Sequence, residues 1–317
     1  MKYKKSEAKE YASEHMKGIW AAALNPFYAD GSFNEEGFRA NIRHWVDDLK
    51  ISGLFVCGKQ GEFFSMGLEE RKRNFALAVE ECGDKASTIM STSDQNFDTV
   101  LELTKYAQDC GADYAVIHAP VLNFVTDQDE TVYQYYKAVC DRVDIGIAMW
   151  SHPDSGYLMS PELCARIADL PNIVAIKYSV PQDMYKRLTH LVGSKIHVST
   201  ASEEDWLDNI EELGWQLYLC SSPPYLLQTK NDLRMHEYTQ LAFENKFAEA
   251  RKVRDSLNPV REAIRKTKPK GKPHAHGKYW QDLLGQTGGE VRPPMLSLTE
   301  EEKLATREAL AGCGLKI

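Results

Sequence analysis

The feature that most constrains this chain is an alternation of short apolar segments with longer amphipathic ones, repeated eight times. Segments such as Ile173-Val174-Ala175-Ile176 are apolar throughout, which is typical of strands that are covered on both faces of a parallel sheet. The predicted strands are residues 18–24, 53–57, 87–91, 114–118, 145–150, 173–177, 195–199 and 216–220. Eight strand–helix units in succession favour an α/β fold of the closed (β/α)8 barrel type.

The amphipathic segments predict helices between the strands and after the last one. They are residues 34–50, 68–82, 96–110, 127–141, 160–170, 182–192 and 202–213, followed by 226–245, 247–266, 278–284 and 299–311. An open doubly wound sheet is the alternative, but it usually carries a glycine-rich turn after its first strand, and Leu24-Asn25-Pro26-Phe27 has no glycine. Residues 266–278, rich in Lys, Pro and Gly, look flexible.

We therefore predict a TIM barrel with a C-terminal helical extension. The barrel, with a short N-terminal helix, is expected over residues 1–225. The C-terminal helices, including the last barrel helix, are expected over residues 226–317. A chain of 317 residues that is 43% hydrophobic has enough apolar material for such a core.

Charge and composition exclude several classes of function. The net charge of -8 argues against nucleic acid or an anionic membrane as a partner, since both require a basic surface. The N-terminus lacks the apolar core of a secretory signal, and no apolar run approaches the roughly 20 residues of a membrane span. Seven scattered cysteines without a CxxC pair indicate reduced thiols and a cytoplasmic protein.

Lys177 is the strongest candidate for chemistry, because barrel active sites lie at the C-terminal ends of the strands. Strand alternation places it on the same face as Ala175 and Ile173. If that face lines the barrel interior, burial would lower the pKa of the amine, and a neutral amine can attack a carbonyl group. The alternative is a lysine that reaches solvent or pairs with a carboxylate. The residues alone leave both interpretations open.

The same rule nominates other strand ends as substrate-binding candidates. In the loop Gly58-Lys59-Gln60-Gly61-Glu62, glycines allow close approach of the backbone to a ligand, and Lys59 adds charge; the alternative is a plain tight turn. Trp150 and His118 either line a pocket or only pack the top of the barrel. Ser222 follows the eighth strand. No histidine shows metal-ligand spacing with acidic residues.

Taken together, these residues resemble the dihydrodipicolinate synthase and N-acetylneuraminate lyase family of class I Schiff-base aldolases, of which the chain looks like a divergent member. The similarity runs from about Gly18 to Gly314. The segments that carry it are Asn25-Pro26-Phe27 with Asp30-Gly31, Gly53 to Glu62 with Glu69-Glu70-Arg71, Gly111-Ala112-Asp113, Asn172 to Lys177, and Arg292-Pro293-Pro294.

The resemblance implies a barrel that assembles as a homo-oligomer, usually a homotetramer built from dimers, and that uses no metal and no organic cofactor. Lys177 would condense with a 2-oxo acid such as pyruvate. The resulting iminium group would accept the electrons of the neighbouring C–C bond as that bond breaks.

Departures from the family pattern are equally informative. Lys59 and Gln60 stand in place of two hydroxyl residues of the carboxylate-binding loop, and Trp150 replaces a tyrosine that serves as acid and base. Pro120-Val121-Leu122 lacks the tyrosines of an inter-subunit relay, and Asp154-Ser155-Gly156 lacks the arginine of the synthase. We therefore do not expect dihydrodipicolinate synthase activity. Lys59 could bind the carboxylate by charge.

The proton carrier remains open at this point. The candidates are His118, His152, Tyr178, a water molecule and the substrate itself.

Three hypotheses follow for the function. The first is a lyase or aldolase acting on pyruvate or another 2-oxo acid, with an aldehyde as second partner. Lys177-Tyr178 and Ser221-Ser222 resemble the hydratase-aldolase branch, and Trp150 would suit an aryl or apolar substrate. The second is a dehydratase of a sugar-derived 2-oxo acid. The third is a non-catalytic family member that binds a small acid, which the retention of Lys177 argues against.

Overall fold

Eight parallel strands form the centre of the molecule. The computed structural model describes residues 1–122, 127–153, 157–193, 195–200, 202–219 and 224–317. The strands are β1 Gly18–Ala22, β2 Gly53–Val56, β3 Ser87–Ser91, β4 Tyr114–His118, β5 Gly146–Ser151, β6 Ile173–Tyr178, β7 His197–Thr200 and β8 Leu217–Leu219. Each strand from β1 to β6 pairs with the next strand in sequence, and β8 pairs with β1, which gives the order β7-β6-β5-β4-β3-β2-β1-β8.

β7 and β8, the first and last strands in this order, are joined by a hydrogen bond to a side chain. The backbone N–H of Leu219 in β8 donates a hydrogen bond of 2.7 Å to the hydroxyl oxygen of Ser199 in β7. Ser199 is fully buried, so this bond lies inside the protein. The sheet therefore forms a nearly closed barrel, and the predicted TIM barrel is confirmed.

Helices surround the barrel and continue beyond its last strand. They are α1 Ala8–His15, α2 Glu35–Arg43, α3 Leu68–Cys82, α4 Phe97–Asp109, α5 Gln128–Cys140, α6 Pro161–Ala168, α7 Gln182–Val192, α8 Trp206–Leu213, α9 Arg234–Phe243, α10 Phe247–Asp255, α11 Asn258–Thr267, α12 Pro273–Leu283 and α13 Glu300–Gly312. In the described part of the chain, none of these helices has the length and apolar character that a membrane crossing requires.

The sequence prediction fails mainly at the C-terminal helices. The predicted helix 247–266 is two helices, α10 and α11, since Pro259 lies in the first turn of α11 and starts a new helix there. The predicted helix 226–245 begins only at Arg234. Residues 266–278 are not a flexible linker, because α12 already begins at Pro273 and buries His276 and Lys278.

The N-terminal helix covers one end of the barrel and leaves the other end open. Ala8, Ala12 and Met16 are buried. Lys9 donates a hydrogen bond of 2.6 Å from its Nζ to the carbonyl of Ala168. His197, the first residue of β7, contacts the carbonyl of Ala12 at 3.0 Å. Because α1 sits at the N-terminal ends of the strands, access is left to the C-terminal ends.

Candidate active site

A cavity of about 750 Å³ lies at the C-terminal ends of the strands. This size is in the range of small-molecule sites in proteins. Its inner part is formed by barrel residues, among them Ala22, Phe55, Trp150, Lys177 and Thr200. Its outer part is formed by α11 and α12 and includes Arg261, Ile264, Pro273, His274 and His276.

Lys177 lies in the wall of this cavity. It is the fifth residue of β6, and only 5% of its surface is exposed. Its Nζ atom is 4.7 Å from the ring centre of Phe55 and 5.4 Å from the ring centre of Trp150. A cation over an aromatic face is attracted by the ring quadrupole, so the two rings hold the end of this side chain in place. The amine therefore lies in the barrel mouth rather than beneath an outer helix.

Trp150 forms the aromatic centre of the inner cavity. It pairs in register with Lys177 on the neighbouring strand, and its ring meets the Phe55 ring edge to face at 5.5 Å. Its Nε1 atom is buried, without a hydrogen-bond partner in the described part of the chain. His118 packs against the indole at 5.4 Å and is not among the residues that line the cavity.

Two of the proton carriers considered from the sequence lie away from the cavity. The Nδ1 atom of His118 is 3.0 Å from the carbonyl of Ala119, and burial lowers the pKa of this histidine. Tyr178 points away from Lys177, as alternation along β6 requires, and its hydroxyl donates to the carbonyl of Met159. Burial raises the pKa of Tyr178 well above its ordinary value. His152, by contrast, lines the cavity.

The loop after β2 is held close to the aromatic centre. A Cβ atom on Gly58 would lie 2.8 Å from the Phe55 ring, and one on Gly61 would lie 3.1 Å from the carbonyl oxygen of Ala23. Asn25 further fixes the loop by donating a 2.7 Å hydrogen bond to the carbonyl of Gly61. Only glycine fits at these two positions without displacing neighbours.

Lys59 and Gln60, carried by this loop, both line the cavity. The Nζ atom of Lys59 is 5.6 Å from the ring centre of Trp150. The amines of Lys59 and Lys177 therefore lie beside the same indole ring, in the same part of the cavity. The arrangement concentrates positive charge in the inner cavity, which favours an anionic ligand.

A buried ion pair ties the loop to the C-terminal helices. Glu62 and Lys278 are fully buried, with their charged atoms 2.5 Å apart. Lys278 also donates to the carbonyl of Glu290 at 2.6 Å, and the backbone N–H of Arg292 donates to Glu62 at 3.0 Å. Burial lowers the pKa of Lys278, and the Glu62 carboxylate opposes that shift.

The arginine of the C-terminal Arg292-Pro293-Pro294 motif makes a second link of this kind. Its guanidinium pairs with both carboxylate oxygens of Glu70 at 2.6 Å. It also donates to the carbonyls of Gly31 and Ser65. Four of the segments that carried the sequence resemblance therefore meet at Arg292: Asp30-Gly31, the loop ending at Glu62, Glu69-Glu70-Arg71 and Arg292-Pro293-Pro294.

Several cavity residues were missed by sequence reasoning. Glu203 and Arg261 form a buried bidentate pair, at 2.6 and 2.7 Å, in the outer wall. His274 and His276 enter the wall because α12 begins at Pro273. Both histidines were considered only as metal ligands, in a segment expected to be flexible. Pro273 was the sequence signal for this helix, because proline is frequent at the first position of a helix.

Ser222, a predicted site residue, lies outside the described residues. The same is true of its neighbour Ser221 and of Cys220, the last residue of the predicted eighth strand. The segment Asp154-Ser155-Gly156, in which the synthase arginine is missing, is also outside them.

Fold and cavity together place the chain among the (β/α)8 barrel enzymes. The sequence model of the dihydrodipicolinate synthetase family matches residues 15–312, and the chain belongs to this family. A 4-hydroxy-tetrahydrodipicolinate synthase from Methanothrix thermoacetophila is 26% identical over 93% of this chain and 96% of its own length. An N-acetylneuraminate lyase from Haemophilus influenzae is 28% identical over 93% of this chain and 97% of its own. The chain is a lyase.

Solved structures show the same fold. Dihydrodipicolinate synthase from Aquifex aeolicus superposes with a TM-score of 0.81 at 24% identity, covering 94% of this chain and 98% of that one. A prophage protein of the dihydrodipicolinic acid synthase family from E. coli K12, solved in complex with pyruvate, gives a TM-score of 0.82 at 21% identity, covering 95% and 99%.

The buried ion pair makes a prediction about stability. Replacing Lys278 with methionine preserves bulk but leaves the Glu62 carboxylate buried without its cation. We expect a loss of about 3–5 kcal/mol in the free energy of unfolding, measured by urea titration. Lys266→Met, which removes the exposed partner of Glu262, is the control and should stay close to the parent. A Lys278→Met protein of parental stability would contradict this account of the loop.

Proposed function

We propose that this lyase binds a 2-oxo acid covalently through Lys177 and cleaves or forms the C–C bond next to it. The observation that carries the proposal is the position of the Lys177 amine, which lies in the cavity at the end of β6 beside Phe55 and Trp150. Family membership supports it, since lysine-dependent lyases form this family. The pyruvate complexes of structural neighbours also agree with a 2-oxo acid.

The chemistry requires one nucleophile and one electron acceptor. The Lys177 ammonium group first loses a proton; the amine then attacks the keto carbon, and loss of water gives an iminium ion. In the cleavage direction, the C3–C4 bond breaks, its electron pair moves into the iminium group, and an aldehyde leaves. The enamine that remains takes a proton at C3, and water releases pyruvate and the free lysine. Such covalent catalysis divides one difficult step into easier ones.

Lys59 supplies the recognition of the carboxylate in this proposal. Its amine lies beside the same Trp150 ring as the amine of Lys177, and in this proposal the carboxylate of a 2-oxo acid attached to Lys177 points toward Lys59. The Gly58-to-Glu62 loop is fixed by Asn25 and by the Glu62–Lys278 pair, so Lys59 is anchored at its backbone. A charge-assisted hydrogen bond to a carboxylate is stronger than the neutral bond that a hydroxyl group would make.

The remaining cavity favours an aryl or apolar group on the departing aldehyde. Apolar side chains border it on several sides: Leu24, Phe55, Trp150, Val180, Leu226, Leu227 and Ile264. A 2-oxo acid on Lys177 with an aryl group at C4 would place that group among them, where burial of apolar surface stabilises the complex. We therefore propose a hydratase-aldolase type of substrate.

A second candidate is the dehydration of a sugar-derived 2-oxo acid. It is favoured by the polar side of the same cavity, formed by Ser179, Thr200, Ser202, Glu204 and Asp205. Hydroxyl and carboxylate groups of this kind hydrogen-bond the hydroxyl groups of a polyol chain. A non-catalytic role has less support, because Lys177 and Lys59 both line the cavity.

Covalent trapping tests the central step. Incubation with pyruvate and borohydride should reduce the iminium and leave a stable adduct on Lys177, detected by intact mass and peptide mapping. Lys177→Met should give no adduct. Lys195→Met, which alters a lysine paired with Asp169 on the surface, should be trapped like the parent. Parent protein without an adduct at saturating pyruvate would rule out the Schiff-base mechanism.

The role of Lys59 in carboxylate binding is tested by the KM for the 2-oxo acid. Lys59→Met should raise the KM for the 2-oxo acid by about one to two orders of magnitude, because the lost ion pair is worth roughly 1.5–3 kcal/mol. The kcat should change much less, since Lys59 holds ground state and transition state alike. Lys186→Met, which removes the exposed partner of Glu212 outside the cavity, is the control. An unchanged KM in Lys59→Met would remove Lys59 from carboxylate recognition.

A pair of probes distinguishes the two substrate classes. The apolar lining predicts a higher kcat/KM for 4-hydroxy-2-oxo-4-phenylbutanoate than for a polyhydroxylated 2-oxo acid of similar length. Release of pyruvate and of 2-oxo acid products is followed by coupled assay or by NMR. Faster turnover of the polyol, particularly with loss of water, would favour the sugar-derived dehydratase.

A further inference from the structure

His274 occupies the part of the cavity wall where α12 begins. It is the second residue of that helix, directly after Pro273. Its Nε2 atom lies 2.8 Å from the backbone carbonyl oxygen of Lys59. A carbonyl oxygen can only accept a hydrogen bond, so Nε2 carries the proton of the neutral ring. Nδ1 then holds the lone pair and is the basic nitrogen.

The basic nitrogen of His274, Nδ1, is buried and makes no hydrogen bond to any described residue. On its outer side the ring meets Phe64 edge to face at 6.1 Å, which together with the Lys59 contact fixes the plane of the imidazole. A buried polar atom without a partner is uncommon in folded proteins and asks for a functional explanation.

The surroundings keep this ring neutral. Burial lowers the pKa of His274 from its ordinary value. The hydrogen bond to Lys59 and the Glu62 carboxylate act in the opposite direction, while Lys278 lowers the pKa further. The net direction is downward, so at neutral pH the imidazole is uncharged and Nδ1 is available to accept a proton.

Removal of a proton from the substrate needs such a base, and among the described residues that line the cavity the imidazoles are His152, His274 and His276. The indole of Trp150 can donate a hydrogen bond but does not titrate. The hydroxyl of Tyr178 is engaged with Met159, and His118 stands behind the indole. His274 is instead held by the backbone of Lys59, whose side chain reaches the inner cavity.

We propose that Nδ1 of His274 takes the proton from the 4-hydroxyl group of a 4-hydroxy-2-oxo acid whose C2 is bound to Lys177. This assignment rests on the proposed function. As the O–H bond breaks, its electron pair forms the carbonyl of the aldehyde, the C3–C4 bond breaks, and its electrons pass into the iminium group. The imidazolium then gives this proton to C3 of the enamine, so the proton removed from the hydroxyl group ends in pyruvate and no further acid or base is consumed.

The neighbouring His276 is less suited to this role, although it also lines the cavity. Its Nε2 atom is 2.8 Å from the hydroxyl oxygen of Thr267, so one of its nitrogens is engaged within the helices. Burial, assisted by Lys268, lowers its pKa to about 4. A base of that strength is a poor proton acceptor at neutral pH.

The test uses His274→Gln in the full-length enzyme. The glutamine amide N–H can still donate to the Lys59 carbonyl, but the variant has no titratable nitrogen. We expect kcat for cleavage of 4-hydroxy-2-oxo-4-phenylbutanoate to fall by about 10²- to 10⁴-fold, the usual contribution of a general base. Trapping of pyruvate on Lys177 should remain at the parental level. The decline of kcat toward low pH, where the parent histidine is protonated, should disappear.

Two further variants complete the design. His236→Gln alters a half-buried histidine of α9 outside the cavity wall and should keep parental kcat and pH profile. His274→Ala should be rescued by added imidazole, which restores a base but not the link to Lys59.

Each remaining result overturns the assignment. A kcat of His274→Gln within threefold of the parent, with the same acidic decline, would exclude His274 as the base. Loss of pyruvate trapping in the same variant would mean that His274 only positions the Lys59 loop. Absence of trapping in the parent would instead overturn the proposed function, and the inference with it.

Discussion

The architecture of this site depends on one buried ion pair, Glu62 with Lys278, at 2.5 Å. Glu62 ends the loop that carries Lys59 and Gln60, and Lys278 lies in α12, which carries His274. A charge buried without a partner is strongly unfavourable, so neither segment can leave the other without a large free-energy cost. The pair therefore joins two walls of the cavity that belong to distant parts of the chain.

Inside the cavity, two aromatic side chains contact the two lysines. Phe55 and Trp150 place the Lys177 amine in the barrel mouth, and Trp150 also contacts Lys59. The indole of Trp150 has no group that titrates near neutral pH. The α12 helix presents imidazole groups to the same cavity. In the proposed reaction, Lys177 and Lys59 bind the 2-oxo acid, and His274, which contacts the Lys59 backbone, takes the proton.

Much of the fold could be predicted from periodicity, because strands covered by helices on both faces are apolar over their whole length. The predicted strand 114–118 agrees with β4, and 173–177 differs from β6 by one residue. The C-terminal helices were predicted less well, because amphipathic patterns run across the break between α10 and α11. Residues 266–278 looked flexible from composition, although His276 and Lys278, in α12, are buried by tertiary contacts.

The amino-acid sequence by itself determined the barrel, the family and the nomination of Lys177, since each depends on local patterns or on residues close together in the chain. The cavity's outer wall was decided only by the tertiary structure. His274 meets the Lys59 carbonyl across 215 residues, and Glu203 meets Arg261 across 58. Such contacts leave no periodic signal in a single sequence. They form only when the C-terminal helices pack against the loops at the open end of the barrel.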